Sequence, residues 1–147
     1  MIEVQIEVRK LNDSAIVPQR MTEGAAGFDL YAAHYVAIHP GETKKVGTGL
    51  AMHIKSANHA GFIYARSGLA TKDGLRPANC VGVVDSDYQG EWIIALHNDS
   101  DVRREIKVGD RIAQAVIAPI TRANFDEVKR FSEETARAQG GFGSTGK

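Results

Sequence analysis

Cys80-Val-Gly-Val-Val84, Asp85-Ser-Asp-Tyr-Gln-Gly90 and Trp92-Ile-Ile-Ala-Leu96 run in succession as an apolar stretch, a polar turn and a second apolar stretch. Apolar runs of this length, separated by Asp, Ser, Gln and Gly, predict two strands joined by a turn. Asp85 then stands where a strand stops. A carboxylate there has rigid backbone on one side and open space on the other, as a positioned general base requires. Taken alone, the segment is better described as a solvated hairpin loop, since Asp, Ser, Gln and Gly are ordinary turn residues.

Outward from this unit the same pattern recurs. Ile2, Val4, Ile6 and Val8 alternate with Glu3, Gln5 and Glu7, the period of a strand with one wet face. Further strands are expected over residues 36–39, 43–54, 61–66, 102–107 and 111–120. Turn clusters such as His39-Pro-Gly, Lys72-Asp-Gly and Val108-Gly-Asp lie between them. No long stretch carries an apolar stripe of period 3.6, and Ser67-Gly-Leu-Ala-Thr makes at most one short helical turn. The expectation is an all-β fold of two packed antiparallel sheets, a sandwich or barrel.

The 147 residues fit one domain. Eighteen basic and eighteen acidic residues balance, without any Lys/Arg block, so neither a nucleic-acid polymer nor a membrane surface is expected as partner. There is no basic-then-apolar leader and no run of apolar residues long enough to span a bilayer, which predicts a soluble, cytoplasmic protein. Cys80 is the only cysteine, so an intramolecular disulfide and a multi-cysteine zinc site are excluded. It reads as a small buried apolar side chain. The five histidines are scattered, without metal-ligand spacing.

Several polar features break the apolar pattern. Arg66-Ser-Gly follows directly on Phe62-Ile-Tyr-Ala, bringing a guanidinium, a hydroxyl and a glycine N–H to one strand end, donors suited to phosphate oxygens. Asp29, in Glu23-Gly-Ala-Ala-Gly-Phe-Asp-Leu-Tyr31, is placed to hold metal-bound water, to orient an arginine, or simply to serve as a buried structural carboxylate. Gln114 interrupts the strand Ile112-Ala-Gln-Ala-Val-Ile, and its amide needs a partner. From Ser132 onward Phe142 is the one large apolar residue, so residues 132–147 cannot build a core and are expected to form a flexible tail on a β domain spanning 1–131. The tail combines Arg137, glycines, the hydroxyls of Ser144 and Thr145 and one aromatic ring, parts that suit ordering over a nucleotide. Its Gly-Lys ending is not a phosphate-binding P-loop, which needs Ser or Thr after the lysine and a helix beyond.

Together, Ala25-Ala-Gly-Phe-Asp-Leu-Tyr-Ala, Ala65-Arg-Ser-Gly-Leu-Ala, residues 79–90, Gly109-Asp-Arg-Ile-Ala-Gln and Gly140-Gly-Phe-Gly-Ser-Thr-Gly resemble the five ordered motifs of the trimeric dUTP diphosphatases (dUTPases). The resemblance covers residues 25–146. It implies a jelly-roll-like β fold and a homotrimer with active sites at subunit interfaces. It also implies Mg2+-dependent hydrolysis of dUTP to dUMP and pyrophosphate, which limits uracil incorporation into DNA and supplies dUMP for dTMP synthesis.

By the same resemblance, Asp85 activates the water that attacks the α-phosphorus. Asn79, with the backbone at Val83 and Val84, reads uracil and the 3'-hydroxyl, and Ile93 joins the substrate-binding residues. Tyr88 lies against the deoxyribose and excludes a 2'-hydroxyl. Arg66, Ser67, Gly68 and Gln114 bind phosphates, and Asp29 acts through arginine or magnesium-bound water, the ion itself being held by the substrate phosphates. Arg137 grips the γ-phosphate, Phe142 stacks on uracil, and Gly143, Ser144 and Thr145 close the lid. One departure is Ala138, where the family often has glycine.

Two rivals share this scaffold. A dCTP deaminase wants a glutamate acid/base at the pyrimidine ring, whereas Asp-Ser-Asp-Tyr-Gln-Gly stands at that turn and Glu91 is displaced past it. A non-catalytic nucleotide-binding regulator has no need of both Asp85 and a complete tail.

Overall fold

The computed structural model describes residues 3–146. It is mostly β, with one short helix. In chain order the elements are β1 (Ile6–Lys10), β2 (Phe28–Tyr31), β3 (Val36–Ile38), β4 (Thr43–Ile54), β5 (His59–Tyr64), α1 (Ser67–Asp73), β6 (Leu75–Pro77), β7 (Gly82–Val84), β8 (Glu91–Asn98), β9 (Arg104–Ile106) and β10 (Arg111–Pro119). They form two four-stranded sheets, ordered β1-β4-β8-β6 and β2-β10-β5-β7, and a β3-β9 ribbon. All the described pairings are antiparallel.

Alternation along β8 sets the inner face of the first sheet. Trp92, Ile94, Leu96 and Asn98 are buried, while Ile93 between them is exposed. Their core neighbours include Leu30, Ile54, Ile63, Ile112 and Ala115. Trp92 spans the gap between the sheets: its Nε1–H donates to Met52 O at 3.2 Å, and a Cβ on Gly61 of β5 would lie 2.8 Å from its ring. Burying an indole of this size stabilises the fold by about 5 kcal/mol. Asn98 closes the same strand with a fully satisfied amide. Its Nδ2 donates to Ile38 O and Val102 O, and its Oδ1 accepts from Ser100 N and Oγ.

Several expectations need correction. The first strand begins at Ile6, and Ile2 lies outside the described residues; the expected strand over 80–84 pairs only from Gly82. Phe28–Tyr31 and Leu75–Pro77 are strands that periodicity did not single out, being too short to display one. Cys80 is exposed rather than buried: it precedes β7 in a loop, where its thiol donates to Pro77 O at 2.7 Å and lies 3.4 Å from Arg76 Nη1. Among the described residues no helix is long and apolar enough to cross a membrane.

Candidate active site

The polar residues picked out above fall into three groups. The first lies where β2, β10 and the end of β5 adjoin. Gln114 of β10 faces Asp29 on one side and Tyr64 on the other. Arg66 continues the extended backbone beyond Tyr64 as the N-cap of α1 (φ −88°, ψ 130°), and its Nε–H donates to Asp29 Oδ1 at 3.0 Å. Arg111 approaches the other Asp29 oxygen at 3.6 Å. With only 16% of its side chain exposed, Asp29 is a mostly buried carboxylate shared by two guanidiniums. This arrangement holds Arg66 in one rotamer and leaves part of its fork free.

Ser67 and Gly68, in the first turn of α1, are exposed, and a Cβ on Gly68 would meet nothing within 4 Å. Gln114 is exposed on the outer face between buried Ala113 and Ala115, and its NH2 donates to Ala65 O at 2.9 Å. The partner its amide required is therefore backbone, from the segment that carries Arg66. Beside Arg66 opens a groove of about 580 Å³ whose walls carry both signs of charge, Arg103, Arg104 and Arg111 with Asp73, Glu105 and Asp110. Arg103 pairs with Glu105 at 2.7 Å and Arg104 approaches Asp73 at 3.7 Å, so most of this charge is compensated within the chain.

The second group surrounds the end of β7. Alternation turns Val83 outward and Val84 toward the core, and Asp85 follows with its side chain exposed. Tyr88 N–H donates to Asp85 O at 3.1 Å, closing the turn, and the Tyr88 hydroxyl donates to Glu91 O at 2.8 Å. Gly90 leaves room for this contact: a Cβ there would lie 2.6 Å from the Tyr88 oxygen, so the ring would have to shift. Asn79, Val83, Tyr88 and Ile93, on the segments before and after Asp85, are all exposed. Asp87 is exposed as a turn residue.

The tail is the third group. Residues 120–146 contain no helix or strand. Arg137 Nε–H donates to Gly140 O at 2.7 Å, and Phe142 is fully exposed. Ser144 N–H donates to Gly141 O, and Gly143 has φ 81°. Ala138 has φ 48°, the left-handed region. That conformation costs an alanine about 1 kcal/mol and a glycine nothing, so a glycine would suit this position better.

One chain does not unite the groups. β5 and β7 are antiparallel with Gly61 opposite Val84, so Asp85 falls beside Ala60 while Arg66 lies six residues farther along the same line. At about 3.3 Å per residue this is roughly 20 Å. Arg111 and Glu91 were missed by the sequence reading as members of these groups, although Arg111 lies within the quoted Gly109-Asp-Arg motif. Glu91 follows the turn directly, and nothing in its local pattern distinguishes it.

Among the described residues no three His, Cys, Asp or Glu side chains are grouped to hold a metal ion. Both Asp29 oxygens face guanidiniums, so that carboxylate is not a free inner ligand for a hard cation.

A family model for dUTPase matches residues 13–146. The deoxyuridine 5'-triphosphate nucleotidohydrolase of Nautilia profundicola is 48% identical over 144 residues, covering 98% of this chain and all of that protein. The protein of the same name from Idiomarina loihiensis is 44% identical over 148 residues, covering 99% and 97%. Among solved structures, the dUTPase of Staphylococcus bacteriophage 80alpha bound to dUpNHpp matches with a TM-score of 0.90 at 28% identity, over 97% of this chain and 99% of that one. A mutant dUTPase from phage phi11 of S. aureus, which coordinates a structural Mg(II) ion, matches with a TM-score of 0.80 at 26% identity, over 88% and 99%.

Proposed function

The chain belongs to the dUTPase family, and on that premise we propose that it is a dUTP diphosphatase hydrolysing dUTP to dUMP and pyrophosphate. The Asp85 carboxylate takes a proton from a water molecule as the water oxygen attacks the α-phosphorus. The bond from the α-phosphorus to the α–β bridging oxygen breaks, and pyrophosphate leaves. The observation that carries the reading is the pair of complementary groups: an exposed carboxylate at a strand end, and an arginine held by a mostly buried carboxylate beside Ser67, Gly68 and Gln114.

In this reading Arg66, Ser67, Gly68 and Gln114 receive the phosphates and disperse the charge that develops on the leaving group. Asp29 is the residue that orients Arg66. Asn79, the backbone at Val83 and Val84, and Ile93 take the uracil and sugar hydroxyl. Tyr88 packs against the deoxyribose, and its ring fills the space a 2'-hydroxyl needs. Arg137 meets the γ-phosphate, Phe142 covers the base, and Gly143, Ser144 and Thr145 complete the lid. A magnesium ion would be held by the substrate phosphates, with Asp29 reaching it through water, and would supply charge neutralisation on the triphosphate.

The site is composite. A separation of roughly 20 Å along β5 is more than a triphosphate bridges within one chain, so Asp85 must meet the Arg66 group of another copy. A homotrimer with sites at its interfaces satisfies this. Further support is a second groove of about 760 Å³, walled by Val4, Ile6, Val8, Phe28, Ile117 and Ile120. Phe125, Val128 and Phe131 stand exposed on the segment that follows, apolar surface that association would cover.

The test is pyrophosphate release from dUTP, dCTP, dTTP and UTP with and without Mg2+. Selective, Mg2+-stimulated release from dUTP is expected. Ammonia release from dCTP, or dUTP binding without turnover, would contradict the reading.

A further inference from the structure

β4 and β8 pair from Thr43 opposite His97 to Gly47 opposite Ile93, and pairing resumes with Ala51 opposite Glu91. Four steps along β4, from 47 to 51, therefore match two along β8, from 93 to 91. The excess forms a bulge around Gly49, whose φ is 68°. A bulge leaves backbone groups without ladder partners, and here two side chains replace them. Thr48 Oγ1 donates to Trp92 O at 2.7 Å and accepts from Leu50 N at 3.2 Å. Glu91 Oε2 accepts from Gly49 N at 3.2 Å. The fit is close: a Cβ on Gly47 would lie 2.2 Å from that same Glu91 oxygen, and one on Gly49 would lie 2.9 Å from Ala15 Cβ.

The backbone of Glu91 makes a separate contact. Its carbonyl oxygen accepts from the Tyr88 hydroxyl at 2.8 Å. Tyr88 is thus held at its backbone by Asp85 O and at its ring tip by a residue whose side chain is locked into β4. We propose that Glu91 is a positioning residue for sugar selection: its carboxylate, by plugging the β4 bulge, fixes the Tyr88 ring against the sugar and so determines how strictly a 2'-hydroxyl is excluded. The proposal rests on the reading of Tyr88 as the surface packed against the deoxyribose.

A steric gate discriminates only as far as it resists displacement. With the carboxylate gone, the Gly49 N–H loses its acceptor, the start of β8 relaxes, and the anchor at Glu91 O shifts with it. The ring then yields to the extra hydroxyl.

The experiment measures kcat/KM for dUTP and for UTP, together with Tm, on the full-length protein and on Glu91→Gln, Glu91→Ala, Tyr88→Phe and the Tyr88→Phe/Glu91→Ala pair. Tyr88→Phe cuts the same tether from its outer end without touching the bulge. Glu91→Ala and Tyr88→Phe should each raise the UTP:dUTP ratio by about tenfold, the size expected from one lost hydrogen bond in a built site. The double variant should go no further than either alone, because both remove one device. Glu91→Gln keeps an oxygen for the Gly49 N–H and should hold the ratio within about twofold of the parent.

A Glu91→Ala protein that melts lower yet keeps the parent ratio would overturn the proposal, leaving Glu91 a purely structural residue. If Glu91→Ala does not fold, Tyr88→Phe decides, and an unchanged ratio overturns it. A parent protein that turns over UTP as readily as dUTP removes the reading of Tyr88 and the proposal together. A selective parent with a responsive Tyr88→Phe and an unresponsive Glu91→Ala removes the proposal alone.

Discussion

Asp85→Asn separates chemistry from architecture more cleanly than any other substitution in this chain. Asp85 is exposed at the end of β7, and among the described residues its side chain makes no hydrogen bond or ion pair; its backbone oxygen, which accepts from Tyr88 N–H, is unaffected by the change. Asparagine has nearly the same shape and is as much at home in a turn, so stability should stay within about 0.5 kcal/mol of the parent. Affinity for a non-hydrolysable dUTP analogue should also persist, because an amide can still hydrogen-bond a water. What is lost is the ability to accept the water's proton. General-base catalysis contributes about 10²- to 10⁴-fold, so turnover should fall at least about 100-fold, equivalent to some ~2.7 kcal/mol of activation free energy. Pyrophosphate release under saturating dUTP, alongside calorimetric binding and a melting curve, reads all three quantities. Near-parental release from a folded Asp85→Asn protein would refute the assignment, and loss of binding together with turnover would make Asp85 a substrate ligand rather than a base.

Other residues carry separate expectations. Truncation after Gln139 should leave the melting temperature unchanged, since residues 140–146 contribute nothing to the hydrophobic core, while cutting turnover sharply; unchanged kinetics would remove the lid role of Phe142. Asn98→Ala strips partners from two carbonyls and from the Ser100 N–H in a buried setting, and should cost about 3 kcal/mol by denaturant unfolding at matched protein concentration. A cost below about 1 kcal/mol would mean that water replaces the amide. Asp99 titrates below its ordinary value near 3.8, chiefly through the Arg76 hydrogen bond. Because the folded value is lowered, the pair's stabilisation is complete above that ordinary value and is lost as pH falls through the folded one. The small, salt-sensitive Tm deficit of Arg76→Met at neutral pH should therefore shrink as pH falls through the folded value of Asp99; a deficit that does not change with acidification would point to lost packing.

The parts of the architecture legible in the sequence are those with local causes. The alternation of β8 follows directly from Trp92, Ile94 and Leu96, and Asp85 ends a strand because a cluster of turn residues follows Val84. Arg66 leaves β5 extended and enters a short helix, as the step from Phe62-Ile-Tyr-Ala to Ser-Gly-Leu-Ala implied. What escaped depends on distant partners. Phe28–Tyr31 and Leu75–Pro77 are strands because β10 and β8 offer them edges, and their own few residues carry no period. Cys80 was expected to be buried on composition, yet it lies outside the ladder that begins at Gly82. The separation of Asp85 from Arg66 is the largest such effect, since it arises from the antiparallel register of β5 with β7, which no single motif encodes.

That separation makes the central claim directly measurable. Asp85→Asn and Arg66→Ala proteins, each expected to be inactive alone, are denatured together in equal amounts and refolded as a mixture. If every site draws Asp85 from one copy and Arg66 from another, random assortment leaves about one quarter of the sites with both native residues, and pyrophosphate release from dUTP should recover to about that fraction of the parent value. A refolded mixture as inactive as its components would contradict the account, because it would place Asp85 and Arg66 in the same chain's site.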